Sequence, residues 1–123
     1  GVPETLAALQ TRGYALAVVS NRSQPFDDYL REKQIWHYLN FALAAGQVQA
    51  WKPAPEIFLQ AAQRAGVQPG EAIYIGDNYY ADIIGARRAG LIPVLFDPRG
   101  VFPEADCDII QTHDQIFDLL ERM

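Results

Sequence analysis

The chain has 123 residues, half of them hydrophobic, and a formal net charge of -5 that comes from 15 acidic and 10 basic side chains. This length and composition predict one folded domain, residues 1–123, and exclude disordered, collagen-like and repeat proteins. The negative charge argues against nucleic-acid binding, the apolar runs are too short to span a membrane, and Cys107, the one cysteine, has no internal disulfide partner. We therefore expect a cytoplasmic protein that contacts neither nucleic acid nor a membrane.

Three units, each made of a helix, a glycine and a strand, follow one another along the chain. The predicted units are helix 3–12 with strand 14–19, helix 55–65 with strand 72–75, and helix 80–89 with strand 91–96. A glycine is common where a helix ends, and apolar strands without alternation are typical of parallel strands covered on both faces. The repeated unit predicts an α/β fold with a doubly wound parallel sheet.

Four shorter elements complete the predicted order. They are helix 26–34, a short strand at 41–45, a strand at 108–110 and a closing helix at 113–122. Doubly wound sheets bind ligands beyond the carboxyl ends of their strands. The residues that follow each strand are therefore the candidates for a functional site.

Two candidate phosphate-binding segments precede the middle of the chain. Ser20 and Asn21 follow the first strand, where a hydroxyl and an amide suit an anionic oxygen, although the same residue types are also common helix caps. Lys52 stands next to Pro53, which limits the freedom of the backbone directly before a helix. The lysine is placed either to reach a bound phosphate or to lie on the surface in solvent.

The strongest signal is a pair of acids around the start of the third unit's helix. Asp77 follows Gly76 at the end of a strand, and Asp82 lies about one turn into the next helix, so both carboxylates can face one point beyond the sheet. Two such anions repel each other, and a bound Mg²⁺ relieves that repulsion. The alternative is a turn aspartate followed by a helix-start aspartate that the helix dipole favours.

In this order, Ser20, Lys52, Gly76–Asp77 and Asp82 resemble the motifs of the haloacid dehalogenase-like hydrolase superfamily. Residues 13–21 look like its second motif, Lys52–Pro53 its third, and residues 76–82 with 85–90 its fourth. The resemblance covers essentially the whole chain and implies a Rossmann-like core.

The resemblance also implies a role for each candidate residue. Ser20 and Asn21 would bind the phosphoryl group, and Lys52 would neutralise both that group and the charge that develops on the nucleophile. Asp77 would bind Mg²⁺, and Asp82 would support the metal site as a ligand or by orienting a ligand or a metal-bound water.

The first motif of the family, an Asp-x-Asp that supplies the nucleophile and the acid/base, has no counterpart in the chain. Residues 106–108 have the letter pattern but lie near the C terminus with no apolar strand before them. The family's cap, which usually sets substrate choice, is also absent. We expect an incomplete core domain whose central first strand, between the strands that end at Ser20 and Gly76, is missing.

A gap in the middle of a sheet leaves backbone groups unpaired, so three arrangements are possible. The two flanking strands pair directly, a partner chain or a second copy fills the gap by association through the open sheet, or the chain is part of a longer protein. The start at Gly1 favours the last, because it matches the point at which family members return from the cap.

Two functions follow as hypotheses. The first is the core of a Mg²⁺-dependent phosphohydrolase for a small phosphorylated substrate, inactive alone because it lacks the nucleophile. The second is a noncatalytic module that binds Mg²⁺, phosphate or a partner chain. A response-regulator receiver domain is excluded because Ser20 and Lys52 precede Asp77, and the paired acids favour phosphate over haloacid substrates.

Overall fold

The computed structural model describes residues 1–123, which form six α-helices and five strands. The helices are α1 (Val2–Thr11), α2 (Asp27–Glu32), α3 (Ala45–Val48), α4 (Glu56–Ala65), α5 (Gly85–Ala89) and α6 (Ile116–Glu121). The strands are β1 (Ala17–Ser20), β2 (Phe41–Ala44), β3 (Ile73–Gly76), β4 (Ile92–Phe96) and β5 (Asp108–Ile110). A π-helical segment, Tyr79–Ile84, leads directly into α5.

All five strands pair in parallel, so the predicted α/β fold class is confirmed. They form two separate sheets, one with the order β1-β2 and one with the order β3-β4-β5. In the first sheet, Ala17 lies opposite Phe41 and Ser20 lies opposite Ala44. In the second, Gly76 at the end of β3 lies opposite Leu95 of β4.

Helices cover both faces of the sheets, as the doubly wound prediction requires. On one face, Ile57 and Phe58 of α4 pack in a buried cluster that contacts Val19 of β1 as well as Tyr74 of β3. This cluster therefore joins the two sheets. On the other face, residues of α1 and α6 pack against β4 and β5; they are Leu9, Ile116, Leu119, Val94 and Ile110.

A gap separates β1 from β3, and these two strands do not pair with each other. Direct pairing of the flanking strands, one of the three arrangements left open by the sequence, is therefore wrong. The gap opens onto an apolar groove of about 490 Å³, lined by residues that include Leu16, Ile73 and Ile75. One hydrogen bond crosses between the strands, from the Tyr74 hydroxyl to the carbonyl oxygen of Val19 at 3.1 Å.

The gap also changes the burial of the strands beside it. Full coverage on both faces is found in β4, where Val94 and Leu95 have no exposed surface. In contrast, β1 is only half-buried, and 37% of Ile75 in β3 is exposed. The prediction of a strand covered on both faces is therefore wrong for β1, and β3 is also partly exposed, because each strand forms an open edge of its sheet.

Several element boundaries differ from the predicted ones by a few residues. The first strand begins at Ala17 instead of residue 14, because the backbone of Leu16 is bonded to both the side chain and the backbone of Asn40 before strand pairing starts. Helix α2 ends at Glu32, and Gln34 follows with a left-handed φ of 62°. No helix is both long and apolar enough to cross a membrane.

Candidate active site

The predicted site residues lie where β1 and β3 end. Ser20 is the last residue of β1 and is followed by Asn21, while Asp77 follows the last residue of β3. Lys52 lies in the loop before α4, and Asp82 lies in the π-helical segment. The structure joins Asn21, Lys52 and Asp82 through direct hydrogen bonds.

Asn21 holds the backbone of Lys52. The Asn21 side chain donates from Nδ2 to the Lys52 carbonyl oxygen at 3.1 Å, and its Oδ1 accepts from the Lys52 N–H at 2.8 Å. The peptide bond between Lys52 and Pro53 is cis. Because both polar atoms of the amide are engaged, the Asn21 side chain fixes the lysine loop against the end of β1. The hydroxyl of Ser20 makes no hydrogen bond within the protein, and phosphate binding by these two residues stays a prediction.

The ammonium group of Lys52 is largely buried and paired. Lys52 Nζ donates to Asp82 Oδ1 at 2.6 Å and to the Tyr74 hydroxyl at 3.1 Å. The Lys52 and Asp82 side chains are only 12% and 5% exposed. Burial acts to lower the pKa of Lys52, but Tyr74 and Asp82 outweigh it, and the pKa lies above its ordinary value. An ammonium has three donors, so one N–H of Lys52 has no protein partner.

Asp82 has both carboxylate oxygens engaged. Its Oδ1 accepts from Lys52, and its Oδ2 accepts from the backbone N–H of Asn78 at 3.1 Å. Asn78 in turn accepts from the N–H of Ala81 at 2.8 Å and so caps the start of the π-helical segment. This geometry makes Asp82 the partner of Lys52, and its support of a metal site stays a prediction, because each carboxylate oxygen keeps a second lone pair.

Asp77 is exposed and makes no hydrogen bond or ion pair with another side chain. Its charge nevertheless contributes to the raised pKa of Tyr74, which burial raises most. The chain contains no group of three or more acidic, histidine or cysteine side chains arranged to hold a metal. Mg²⁺ uses one or two carboxylates and completes its octahedron with water and phosphate oxygens, so the free carboxylate of Asp77 fits that ion as a single protein ligand.

Two residues of the site were not identified from the sequence, Tyr74 and Asn78. Tyr74 stands inside an apolar strand, where an aromatic residue is typical of the core. Asn78 follows Asp77 directly and belongs to a residue type that favours helix starts, which is the signal that predicts its capping role. Nothing in the sequence pattern indicates that the Tyr74 hydroxyl reaches Lys52.

Parallel strands, a lysine paired with a buried acid and an exposed aspartate at the end of β3 agree with the hydrolase class that the sequence motifs resemble. The family model described as haloacid dehalogenase-like hydrolase matches residues 1–95. The chain belongs to this family of hydrolases.

Three related proteins illustrate the range of the family. The phosphoserine phosphatase of Thermus thermophilus is 40% identical over 103 residues, which are 80% of this chain and 40% of that protein. A solved phosphatase of the family from Thermococcus onnurineus has a TM-score of 0.89 at 30% identity and covers 95% of this chain. A 2-haloacid dehalogenase from Pseudomonas syringae has a TM-score of 0.86 at 31% identity and covers 98% of this chain.

The matched region is only part of each of these proteins. The chain spans 55% of the Thermococcus protein and 52% of the Pseudomonas protein. It spans less than half of the length of the curated relatives it matches. The activities in their names therefore belong to proteins about twice as long as this chain.

Proposed function

We propose that the chain is the phosphate-binding and metal-binding part of a Mg²⁺-dependent phosphohydrolase that acts on a small phosphorylated substrate. The observation that supports this most is the buried Lys52–Asp82 pair, which keeps an ammonium fixed beside the ends of β1 and β3 with one N–H free. A fixed cation at this position stabilises the charge of a bound phosphoryl group without reorganisation. The phosphatases among the relatives agree with this class of reaction.

Each residue has a separate task in this proposal. Lys52 neutralises the phosphoryl oxygens, and Asn21 holds the loop that carries Lys52. Ser20 donates its free hydroxyl to the phosphoryl group, with the Asn21 backbone beside it. Asp77 holds Mg²⁺, which when bound would offset the charge of the phosphate. Asp82 keeps the lysine charged and in place.

The proposal includes inactivity of the chain by itself. A phosphoryl transfer in this site needs a nucleophile near Lys52. Asp82 is buried and paired with Lys52, and Asp77 is assigned to the metal. The attacking carboxylate would therefore come from a strand placed between β1 and β3, in a longer protein.

A second candidate is dehalogenation, which the likeness to the Pseudomonas enzyme supports. The exposed carboxylate of Asp77 favours a phosphorylated substrate over a haloacid. A free carboxylate next to the binding site repels an anionic substrate unless a cation lies between them, and that combination of carboxylate, Mg²⁺ and phosphate oxygen is typical of phosphoryl transfer.

The first experiment measures Mg²⁺-dependent phosphate release from an aryl phosphate by the chain and by Asp77→Asn. We expect none from either. Release that is lost in Asp77→Asn would show that the chain has its own nucleophile, and the proposed inactivity would be wrong.

A binding experiment tests the site without turnover. The chain has two lysines, Lys33 and Lys52, so Lys33→Met is a matched control for Lys52→Met. With Mg²⁺ present, we expect inorganic phosphate to bind the unsubstituted chain and Lys33→Met, and to bind Lys52→Met at least about tenfold more weakly. Equal binding by all three proteins would refute the assignment of Lys52.

A further inference from the structure

We propose that Tyr74 is the positioning residue for Lys52: its hydroxyl, fixed by the backbone of β1, holds the ammonium so that one N–H stays available to a phosphoryl oxygen. This inference rests on the proposed phosphate site and adds a residue that the motifs of the chain do not include. It starts from the two hydrogen bonds of the Tyr74 hydroxyl.

The direction of these two bonds is set by chemistry. A phenol has one proton and accepts through its lone pairs. The carbonyl oxygen of Val19 can only accept, so the Tyr74 proton points to it at 3.1 Å. The lone pairs of Tyr74 then receive an N–H of Lys52, also at 3.1 Å. The hydroxyl is therefore an acceptor of fixed orientation for the ammonium.

The ring that carries this hydroxyl is also fixed. It packs edge to face on Phe58, with 4.8 Å between the ring centres, and it lies in the buried cluster that joins the two sheets. Lys52 Nζ lies 5.5 Å from the centre of the Tyr74 ring. The tyrosine therefore has its ring held by the core and its hydroxyl held by β1.

Asp82 alone does not determine the position of the ammonium. A lysine ends a flexible four-carbon chain and rotates freely about a single contact. Contacts from β3 through Tyr74 and from the π-helical segment through Asp82 fix two of the three N–H groups in different directions. The third N–H then has one orientation, which is what a preorganised phosphate site requires.

The test uses the small number of lysines. In a chain labelled with ¹⁵N-lysine, the Nζ groups give two signals, one for Lys52 and one for Lys33. Tyr29 is a matched control for Tyr74, because Lys33 Nζ lies 5.5 Å from the Tyr29 ring centre and the Tyr29 hydroxyl makes no hydrogen bond. The proteins compared are the unsubstituted chain, Tyr74→Phe and Tyr29→Phe.

We expect the Lys52 ammonium to exchange its protons with water slowly, and about tenfold faster in Tyr74→Phe, because a hydrogen bond to a charged group is lost. Tyr29→Phe leaves the Lys52 signal unchanged. With Mg²⁺, affinity for inorganic phosphate falls about tenfold in Tyr74→Phe and is unchanged in Tyr29→Phe. Unchanged exchange of the Lys52 protons in a folded Tyr74→Phe would overturn the proposal.

A second measurement needs no substitution. In the unsubstituted chain, the Lys52 Nζ protons should show a nuclear Overhauser contact to the Tyr74 ring, and its absence would also overturn the proposal. The outcomes separate this inference from the proposed function. If the Lys52 protons exchange faster in Tyr74→Phe but none of the three proteins binds phosphate, the contact between Tyr74 and Lys52 is confirmed and the phosphate site is wrong.

Discussion

The carboxyl group of Asp82 occupies the space that a side chain at Gly76 would need. A Cβ atom built on Gly76 would lie 2.3 Å from both Cγ and Oδ2 of Asp82, closer than real carbon contacts allow. The glycine at the end of β3 is therefore required for the buried acid to reach Lys52.

Replacement of Gly76 by alanine should displace the Asp82 carboxyl and destabilise the fold. The new methyl group cannot move, because it is attached to the end of a strand, so Asp82 must leave Lys52. We expect the free energy of unfolding to fall by about 3 kcal/mol in urea titrations. Gly70→Ala is the control, because no atom lies within 4 Å of its added Cβ. Equal stability of the two variants would contradict this account.

Substitution of Asp82 by asparagine should be costly because Lys52 would keep its charge in a buried place without a counterion. Breaking such a pair from one side costs about 3 kcal/mol. The control is Asp106→Asn, which removes the exposed ion pair with Arg87, with side chains 65% and 41% exposed. Solvent screens that pair, so the control should unfold much like the unsubstituted chain. A similar loss of stability in both variants would show that the buried Lys52–Asp82 pair contributes no more to the free energy of unfolding than the exposed Arg87–Asp106 pair.

Much of the fold was predictable because the signals were local. A glycine after each helix and an apolar run after each glycine located β3 and β4 to within a residue. The gap between β1 and β3 also followed, through the resemblance to a family whose central strand has no counterpart in this chain. The half-burial of β1 and β3 could not be predicted from their sequences, because burial depends on which elements pack beside a strand and not only on the residues of the strand.

The site was predictable in its parts and less so in its contacts. Asp82 was identified by its spacing from Asp77, yet its link to Lys52 spans 30 positions and no local pattern reports it. Phosphate binding by Asn21 stays a prediction, and no local pattern reports that its side chain holds the Lys52 backbone. Tyr74 was missed because its hydroxyl acts across the gap, 55 positions from Val19.

Asn21→Asp should loosen the lysine loop. The carboxylate still accepts from the Lys52 N–H, but it can no longer donate to the Lys52 carbonyl oxygen and is repelled by it. We expect a loss of about 1 to 2 kcal/mol in the free energy of unfolding, because one hydrogen bond is lost and the Lys52 carbonyl oxygen then faces a carboxylate oxygen. Thermal unfolding measures the change. Asn40→Asp is the comparison, since Asn40 uses its Oδ1 only to accept from the Leu16 N–H and should lose less.

Stability should fall at alkaline pH in a way that depends on Lys52. Its pKa is raised in the folded chain, so the native state binds the proton more tightly than the unfolded state. The contribution is complete below the ordinary lysine pKa and is lost as the pH rises through the folded value. Tyr74 and Cys107, whose pKa values burial raises, act in the same direction.

Lys52→Arg isolates the lysine, because a guanidinium does not lose its proton in this range. Urea unfolding at about pH 8 and about pH 11 should show a smaller alkaline loss in Lys52→Arg than in the unsubstituted chain or in Lys33→Arg. Identical losses in all three would mean that Lys52 has the same pKa in the folded and unfolded chain.

The open edges of β1 and β3 should accept a parallel strand, and activity should depend on it. Both edges carry unpaired backbone groups, and the groove between them is lined by apolar side chains such as Leu16 and Ile75. A strand seated there, ending in Asp-x-Asp at the level of Ser20 and Gly76, would bring a free carboxylate beside Lys52. We expect Mg²⁺-dependent phosphate release when a synthetic apolar peptide of this pattern is added to the chain, and none when its first aspartate is asparagine. Sedimentation tests the competing occupant: a stable dimer that the peptide does not dissociate would mean that a second copy of the chain, and not the peptide, fills the gap.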